Sequence, residues 1–211
     1  MPFGNVLGCA VGEWETAQGF GDSPKAKSTW DAEYRDGHWG YIERLHENSR
    51  YWAIVGYMNV FKCDGEYLDV GCGTGGLYDR FKMHGYQRFA GIDISDVGIN
   101  ALRSHNDDRT NFAQADADTY EPSGRFDIIV FNESLYYLRD PIRSLQRYAK
   151  HLKAGGCIIV STYTSSRRSL AVLRQAKRAF DVIDETETTQ GEVSWLCTVL
   201  KSSGPKGLAV G

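Results

Sequence analysis

The stretch Glu66-Tyr67-Leu68-Asp69-Val70-Gly71-Cys72-Gly73-Thr74-Gly75-Gly76 decides the fold. Its first half is a short apolar strand, and its second half is a turn in which every other residue is glycine. A helix-like segment follows, and Phe89-Ala90-Gly91-Ile92-Asp93-Ile94-Ser95 then reads as a second strand tipped by a carboxylate, Asp93. Strand, glycine turn, helix and acid-tipped strand together make half of a nucleoside-binding crevice. The glycines let backbone N–H groups come close to a ligand, and the acid suits two ribose hydroxyls.

The spacing narrows the ligand. A dinucleotide turn reads G-x-G-x-x-G and closes over a pyrophosphate at a helix N-terminus. Here the glycines fall at Gly71, Gly73 and Gly75, and an acid, Asp69, stands two residues before the first. A carboxylate at that place repels a pyrophosphate and suits an ammonium group. A structural glycine turn in some other α/β protein is the alternative at this point. The later segments come in a fixed order: Asn111–Ala117 as a third strand and turn, Phe126–Leu135 as a buried strand with polar residues at its tip, and His151–Val160 as a helix end, a Gly-Gly turn and a fifth strand.

On these residues the chain, from about Tyr51 to Leu200, resembles the class I methyltransferases that use S-adenosylmethionine (SAM), with Tyr67–Gly75 as their motif I. The resemblance implies SAM as cofactor and S-adenosylhomocysteine as product. It implies that Asp93, with Ile94 beside it, holds the ribose diol. Asp116 would accept from the adenine 6-amino group, next to the backbone of Ala117. Asn132 would offer backbone contacts to the methionine end, and Tyr51, with Arg50, would reach the SAM carboxylate. Catechol-type relatives hold magnesium with an acid where this chain has Asn132, so no metal is expected. Nucleic-acid amino methyltransferases carry two prolines and a stacking aromatic after the fourth strand. This chain has Asn132-Glu133-Ser134-Leu135 instead, which points away from flipped bases and toward a small molecule; resemblance to small, short-lidded members of the family implies a natural-product or sugar-like acceptor methylated on O or N.

Methyl transfer from a sulfonium needs an aligned acceptor and exclusion of water. A base is required only for a protonated acceptor. Glu133 is the first candidate to hold or deprotonate the acceptor, against a plain helix-capping carboxylate. His38 is a second, against an ordinary surface histidine. Tyr136, Tyr137, Trp30, Tyr34 and Trp39 are the candidates for the acceptor wall, against core packing. Rival readings are a protein or tRNA methyltransferase, a SAM-binding regulatory protein without turnover, and a nucleotide-dependent oxidoreductase.

The chain has 211 residues, net charge −3 and five scattered cysteines. The charge balance gives no case for nucleic acid or an anionic membrane. No apolar run approaches the roughly 20 residues of a membrane span, and no C-x-x-C spacing suggests zinc or a disulfide framework. A cytoplasmic monomer or homodimer is expected. The expected organisation is a flexible arm over residues 1–27, a helical lid segment over 28–62, a methyltransferase core over 63–201 and a flexible tail over 202–211. The core is expected to be α/β: a seven-stranded Rossmann-like sheet, mostly parallel, with helices on both faces. Its last strand should be antiparallel because only a turn at Gln190-Gly191 separates it from the strand before.

Overall fold

The computed structural model of the chain describes residues 24–43 and 47–202. The expected arm, with Phe3, Trp14 and Phe20, lies mostly outside the described residues, and so does the tail beyond Ser202. The seven strands are β1 (Glu66–Val70), β2 (Arg88–Asp93), β3 (Thr110–Gln114), β4 (Phe126–Asn132), β5 (Leu152–Tyr163), β6 (Phe180–Gln190) and β7 (Val193–Ser202). They form one sheet in the order β3-β2-β1-β4-β5-β7-β6. The pairings through β5 are parallel, and β7 runs antiparallel to both β5 and β6. Gln190 faces Val193 across the two-residue hairpin, and Gly191 takes the φ of 62° that such a turn needs. The order reverses between β2 and β4, on either side of β1. This switch point opens the crevice above the strand ends.

Central strands are buried on both faces, so Ile128, Ile129, Val130 and Phe131 form an unbroken apolar run. One core lies under α2 (Asn48–Phe61), α3 (Gly76–Phe81) and α4 (Asp96–Leu102), with Ile54, Met58, Leu77, Phe81, Phe89 and Ile99. The other lies under α5 (Pro141–Ala149) and α6 (Arg167–Ala179), with Phe131, Leu145, Tyr148, Leu173 and Ala176. Side-chain caps set the starts of α4, α5 and α6. Ser95 accepts from the amides of Val97 and Gly98, Asp140 from Arg143, and Ser166 from Ser169, with Pro141 in the first turn of α5.

Two boundaries differ from expectation. Where the sequence reading has a helix end and a Gly-Gly turn from His151, the helix stops at Ala149 and β5 begins at Leu152, paired with Phe126, ahead of the glycines. The register shifts between Phe126 and Ile128, and Gly155 at φ 80° lets the extra residues loop out of the ladder. Within the expected helical lid segment, α1 (Lys27–Arg35) is followed by a tighter 3-10 turn over His38–Glu43.

Alpha-1 lies across α4. Ser95 Oγ donates to Asp31 at 2.6 Å, and Lys27 pairs with both Asp31 and Asp96 at 2.6 Å. On the other side Arg80 joins α3 to α2. Its Nε donates to Asn48 at 2.9 Å, and its guanidinium lies 4.2 Å from the Tyr51 ring centroid. The N-terminal helices thus close over the end of the sheet where the strand order reverses.

The glycine turn is fixed by close approach. Gly71 sits at φ 79°, and a Cβ there would lie 2.5 Å from the Cβ of Ser134, whose hydroxyl donates to the Val70 carbonyl. Gly71→Ala is expected to destabilise the fold by about 3 kcal/mol, left-handed strain of roughly 1 kcal/mol plus overpacking. That corresponds to about 6–12 °C in Tm for a chain of this size. Gly155→Ala has similar φ but open space around it, and should show the strain alone. Scanning calorimetry on the two variants checks this, and equal shifts would contradict the close approach.

Candidate functional site

Above the C-terminal ends of β1, β2, β4 and β5 lies a cavity of about 190 Å³. Its floor is Val70, Gly71, Cys72 and Gly73, one side carries Asp93, Ile94, Asp116 and Ala117, and the other carries Asn132, Glu133, Tyr136 and Tyr137. Trp30, Tyr34, Trp39, Arg50 and Tyr51 cover it from the N-terminal helices. The structure therefore gathers most of the residues singled out in the sequence around one space. Three stand apart. His38 is exposed, edge-on to Trp39, and is outside the cavity wall. Gly75 forms the left-handed start of α3 at φ 88°. Asp69 lies one step below the floor and is 2% exposed.

The turn works differently from the sequence expectation. The amides of Gly71 and Cys72 donate to the Ile92 carbonyl at 2.8 and 2.9 Å, Gly75 donates to Cys72, and Gly73 donates to Asp93 Oδ2 at 2.9 Å. The first two and the last of these N–H groups tie the turn after β1 to β2, and the Gly75 amide closes the turn on itself. What the glycines supply is bare surface. A Cβ on Gly73 would stand 2.7 Å from the Tyr34 hydroxyl. Cys72 fills space: its Sγ would be 3.0 Å from a Cβ on Gly91, and burial pushes its thiol pKa well up.

Asp93 has both oxygens engaged, with Oδ1 accepting from the Ser95 amide at 2.8 Å and Oδ2 from Gly73. Burial raises its pKa, and the backbone donors offset only part of that. Each oxygen keeps a second acceptor site toward the cavity. Asp116 accepts from the Asp118 amide at 2.9 Å and pairs with Arg139 at 2.7 Å. Arg139 is mostly exposed, so this rim pair is weak and replaceable. The Ala117 carbonyl is taken by Arg147 and by the Tyr148 hydroxyl.

Arg50 is the buried cation of the site, 3% exposed. It donates to Glu47 at 2.7 Å, to Asn132 Oδ1 and to the Tyr51 hydroxyl, and stacks 4.2 Å from the Tyr51 ring centroid. Burial disfavours its charge, but Tyr51, Glu47 and Glu133 outweigh this and its pKa rises. Glu133 turns the chain at φ 56°, a left-handed conformation uncommon for a residue with a side chain. Its carboxylate accepts from Ser161 Oγ at 2.6 Å, the Tyr163 amide at 3.0 Å and the Tyr136 hydroxyl at 3.0 Å. Burial raises its pKa against the opposing pull of Arg50 and these donors. Strain held in place by three hydrogen bonds fits a residue that must present a side chain at one spot.

Ser161, Tyr163, Val193 and Trp195 were missed by the sequence analysis. Tyr163, Val193 and Trp195 line the cavity, and Tyr163 and Trp195 are register partners at the tip of β5. The rule that ligands gather at strand ends applies to β5 as it does to β4. Among the described residues, no group of His, Cys, Asp and Glu gathers in a form that holds a metal. No described helix is long and apolar enough to cross a membrane.

Asp69 Oδ1 is buried and has no hydrogen-bond partner. Burial, with Asp93 beside it, raises its pKa to about 7, and Arg50 pulls the other way. The folded form thus holds a proton that the unfolded chain releases near pH 4. Stability is lost as pH rises through this interval, and the loss is complete above pH 7. Asp69→Asn is expected to gain stability over the parent on going from pH 5 to pH 8, by about 2–3 kcal/mol. Denaturant titrations at the two pH values check it. A difference independent of pH would show that Asp69 is ionised throughout.

A family model described as a methyltransferase domain matches residues 33–190. A ubiquinone biosynthesis O-methyltransferase of Bradyrhizobium sp. (strain ORS 278) is 32% identical over 108 residues, 50% of this chain and 42% of that protein. A tRNA U34 carboxymethyltransferase of Mannheimia succiniciproducens is 29% identical over 116 residues, 53% of this chain and 36% of that protein. The matches thus span less than half the length of these curated relatives. The crystal structure of the N-methyltransferase NodS from Bradyrhizobium japonicum WM9, in complex with S-adenosyl-L-homocysteine, superposes with a TM-score of 0.73. It is 18% identical, and the match covers 84% of this chain and 98% of that one. This likeness establishes the fold.

Proposed function

This chain belongs to the methyltransferase-domain family, and we propose that it moves a methyl group from SAM to O or N of a small organic acceptor. The observation that carries the acceptor class is the shape of the far half of the cavity. Trp30, Trp39, Tyr136, Tyr137, Tyr163 and Trp195 wall it with aromatic surface, under a cover of N-terminal helix. A covered aromatic chamber suits a small molecule and excludes water.

The residues present fit the cofactor. Asp69 is an unpartnered buried carboxylate beneath the floor, and the cationic end of SAM supplies the charge it lacks. Asp93 would take the ribose hydroxyls with its remaining acceptor sites, Asp116 the adenine amino group, and Arg50 the carboxylate. Bound there, SAM would supply a methyl group activated by its positive sulfur for transfer to the acceptor's lone pair, with S-adenosylhomocysteine as the product. A protonated acceptor gives its proton to Glu133, whose carboxylate has about four acceptor sites and uses three on the protein.

Asp93→Ala is expected to weaken SAM binding by about 1–3 kcal/mol, measured by calorimetry, and to lower Tm because Gly73 and Ser95 lose their acceptor. Unchanged affinity would reduce Asp93 to a structural role. Glu133→Gln is expected to lower kcat at least tenfold while SAM affinity stays within about twofold, the range of general-base loss being roughly 10²–10⁴. The assay is transfer of labelled methyl from SAM to panels of small O and N acceptors. Transfer to tRNA or protein alone would overturn the acceptor class.

A further inference from the structure

The acceptor half of the cavity contains a cation. Lys25 Nζ lies 4.8 Å from the ring centroid of Trp30, 5.6 Å from that of Trp39 and 5.7 Å from that of Tyr137. All three are within the roughly 6 Å at which a ring face attracts a cation. The rings are set against one another: Trp30 stacks on Trp39 with centroids 5.5 Å apart, and Tyr137 meets Trp30 edge-on at 4.9 Å. One carboxylate completes the enclosure. Glu33 accepts from Lys25 at 2.8 and 3.1 Å and from the Trp39 indole N–H at 3.2 Å. Two rings come from the N-terminal segment and the third from the turn that follows Glu133, so the cage assembles across the mouth of the cavity.

Three rings and one acid around an ammonium are more than ordinary helix packing requires. Lys25 is the chain's own side chain, just ahead of α1, and it lines the same space as Asn132 and Glu133. We propose that this cage is the recognition site for a small acceptor carrying a cationic amine, and that Lys25 fills it until the acceptor displaces it. The proposal rests on the small-acceptor reading and adds its charge. Glu33 balances the incoming ammonium, the rings select for its diffuse charge, and the departing Lys25 leaves to solvent. A neutral acceptor of the same shape would gain neither term.

The test uses the full chain saturated with S-adenosylhomocysteine, so that the nucleoside half is filled. Choline is the probe and 3,3-dimethylbutan-1-ol its neutral isostere, each titrated by calorimetry and by tryptophan fluorescence. In Lys25→Ala, and in Lys25→Gln as a second variant, choline is expected to bind at least tenfold tighter than in the parent, with the alcohol at least tenfold weaker than choline. Adding Trp30→Ala should remove the gain. S-adenosylhomocysteine affinity, within about twofold across the Lys25 variants, shows that they are folded. Choline binding no tighter in either variant than in the parent, or no tighter than the alcohol, would overturn the cage. Methyl transfer to small phenols or alcohols in that case would leave the small-acceptor reading standing. Transfer to macromolecules alone would sink that reading separately.

Discussion

Burying a carboxylate without a partner is unfavourable by several kcal/mol, and this protein does so at the head of its central strand. Asp69, Asp93 and Glu47 are each no more than 7% exposed, Glu133 joins them at the cavity wall, and among them lies one buried guanidinium, that of Arg50. Among these groups four acids face one cation, because Lys25, elsewhere on the cavity wall, is paired with Glu33. Arg50 is held by Glu47 and Asn132, and its field reaches Asp69 and Glu133 without a direct bond to either. The pKa values of Asp69, Asp93 and Glu133 all move upward, which is the response expected where anions are crowded and desolvated. This part of the crevice is short of positive charge, which a sulfonium nucleoside with its own ammonium would supply.

The fold keeps that imbalance in place. The Gly71 and Cys72 amides tie β1 to β2 and give nothing to Asp69, and the close contact of Gly71 with Ser134 ties β1 to the turn after β4. Glu133 ties that turn to β5. Stability is therefore given up locally at the strand ends and recovered in the two apolar cores on either face of the sheet. The N-terminal helices complete the arrangement: Asp31 and Lys27 dock α1 on α4, which sets Tyr34 over Gly73 and the tryptophans over the aromatic half of the cavity.

The sheet, and the residues that it gathers around the cavity from β1, β2 and β4, were legible in the sequence, because each rests on local chemistry. Period and turn residues mark β1, β2 and β4, and the missing helix between β6 and β7 dictates their antiparallel pairing. The parts that escaped depend on contacts distant in sequence. Which way the glycine-turn amides point is decided by Ile92 and Asp93, not by the glycines themselves. Tyr163 and Trp195 become cavity wall only through the β5–β7 register. Lys25 looked like part of a polar arm, and nothing in its neighbours announced that Tyr137, far along the chain, would complete a cage around it. His38, chosen for its chemistry alone, sits on the outside of its turn.

The most direct test of the charge argument is a calorimetric titration of SAM at pH 7 in several buffers of different ionisation enthalpy. Asp69, with a pKa of about 7, is near half protonated there, and an arriving cation drives its proton off. The expected result is release of up to roughly half a proton per SAM bound, and no release in Asp69→Asn. A binding enthalpy that does not change with buffer, or a release that persists in Asp69→Asn, would contradict the account.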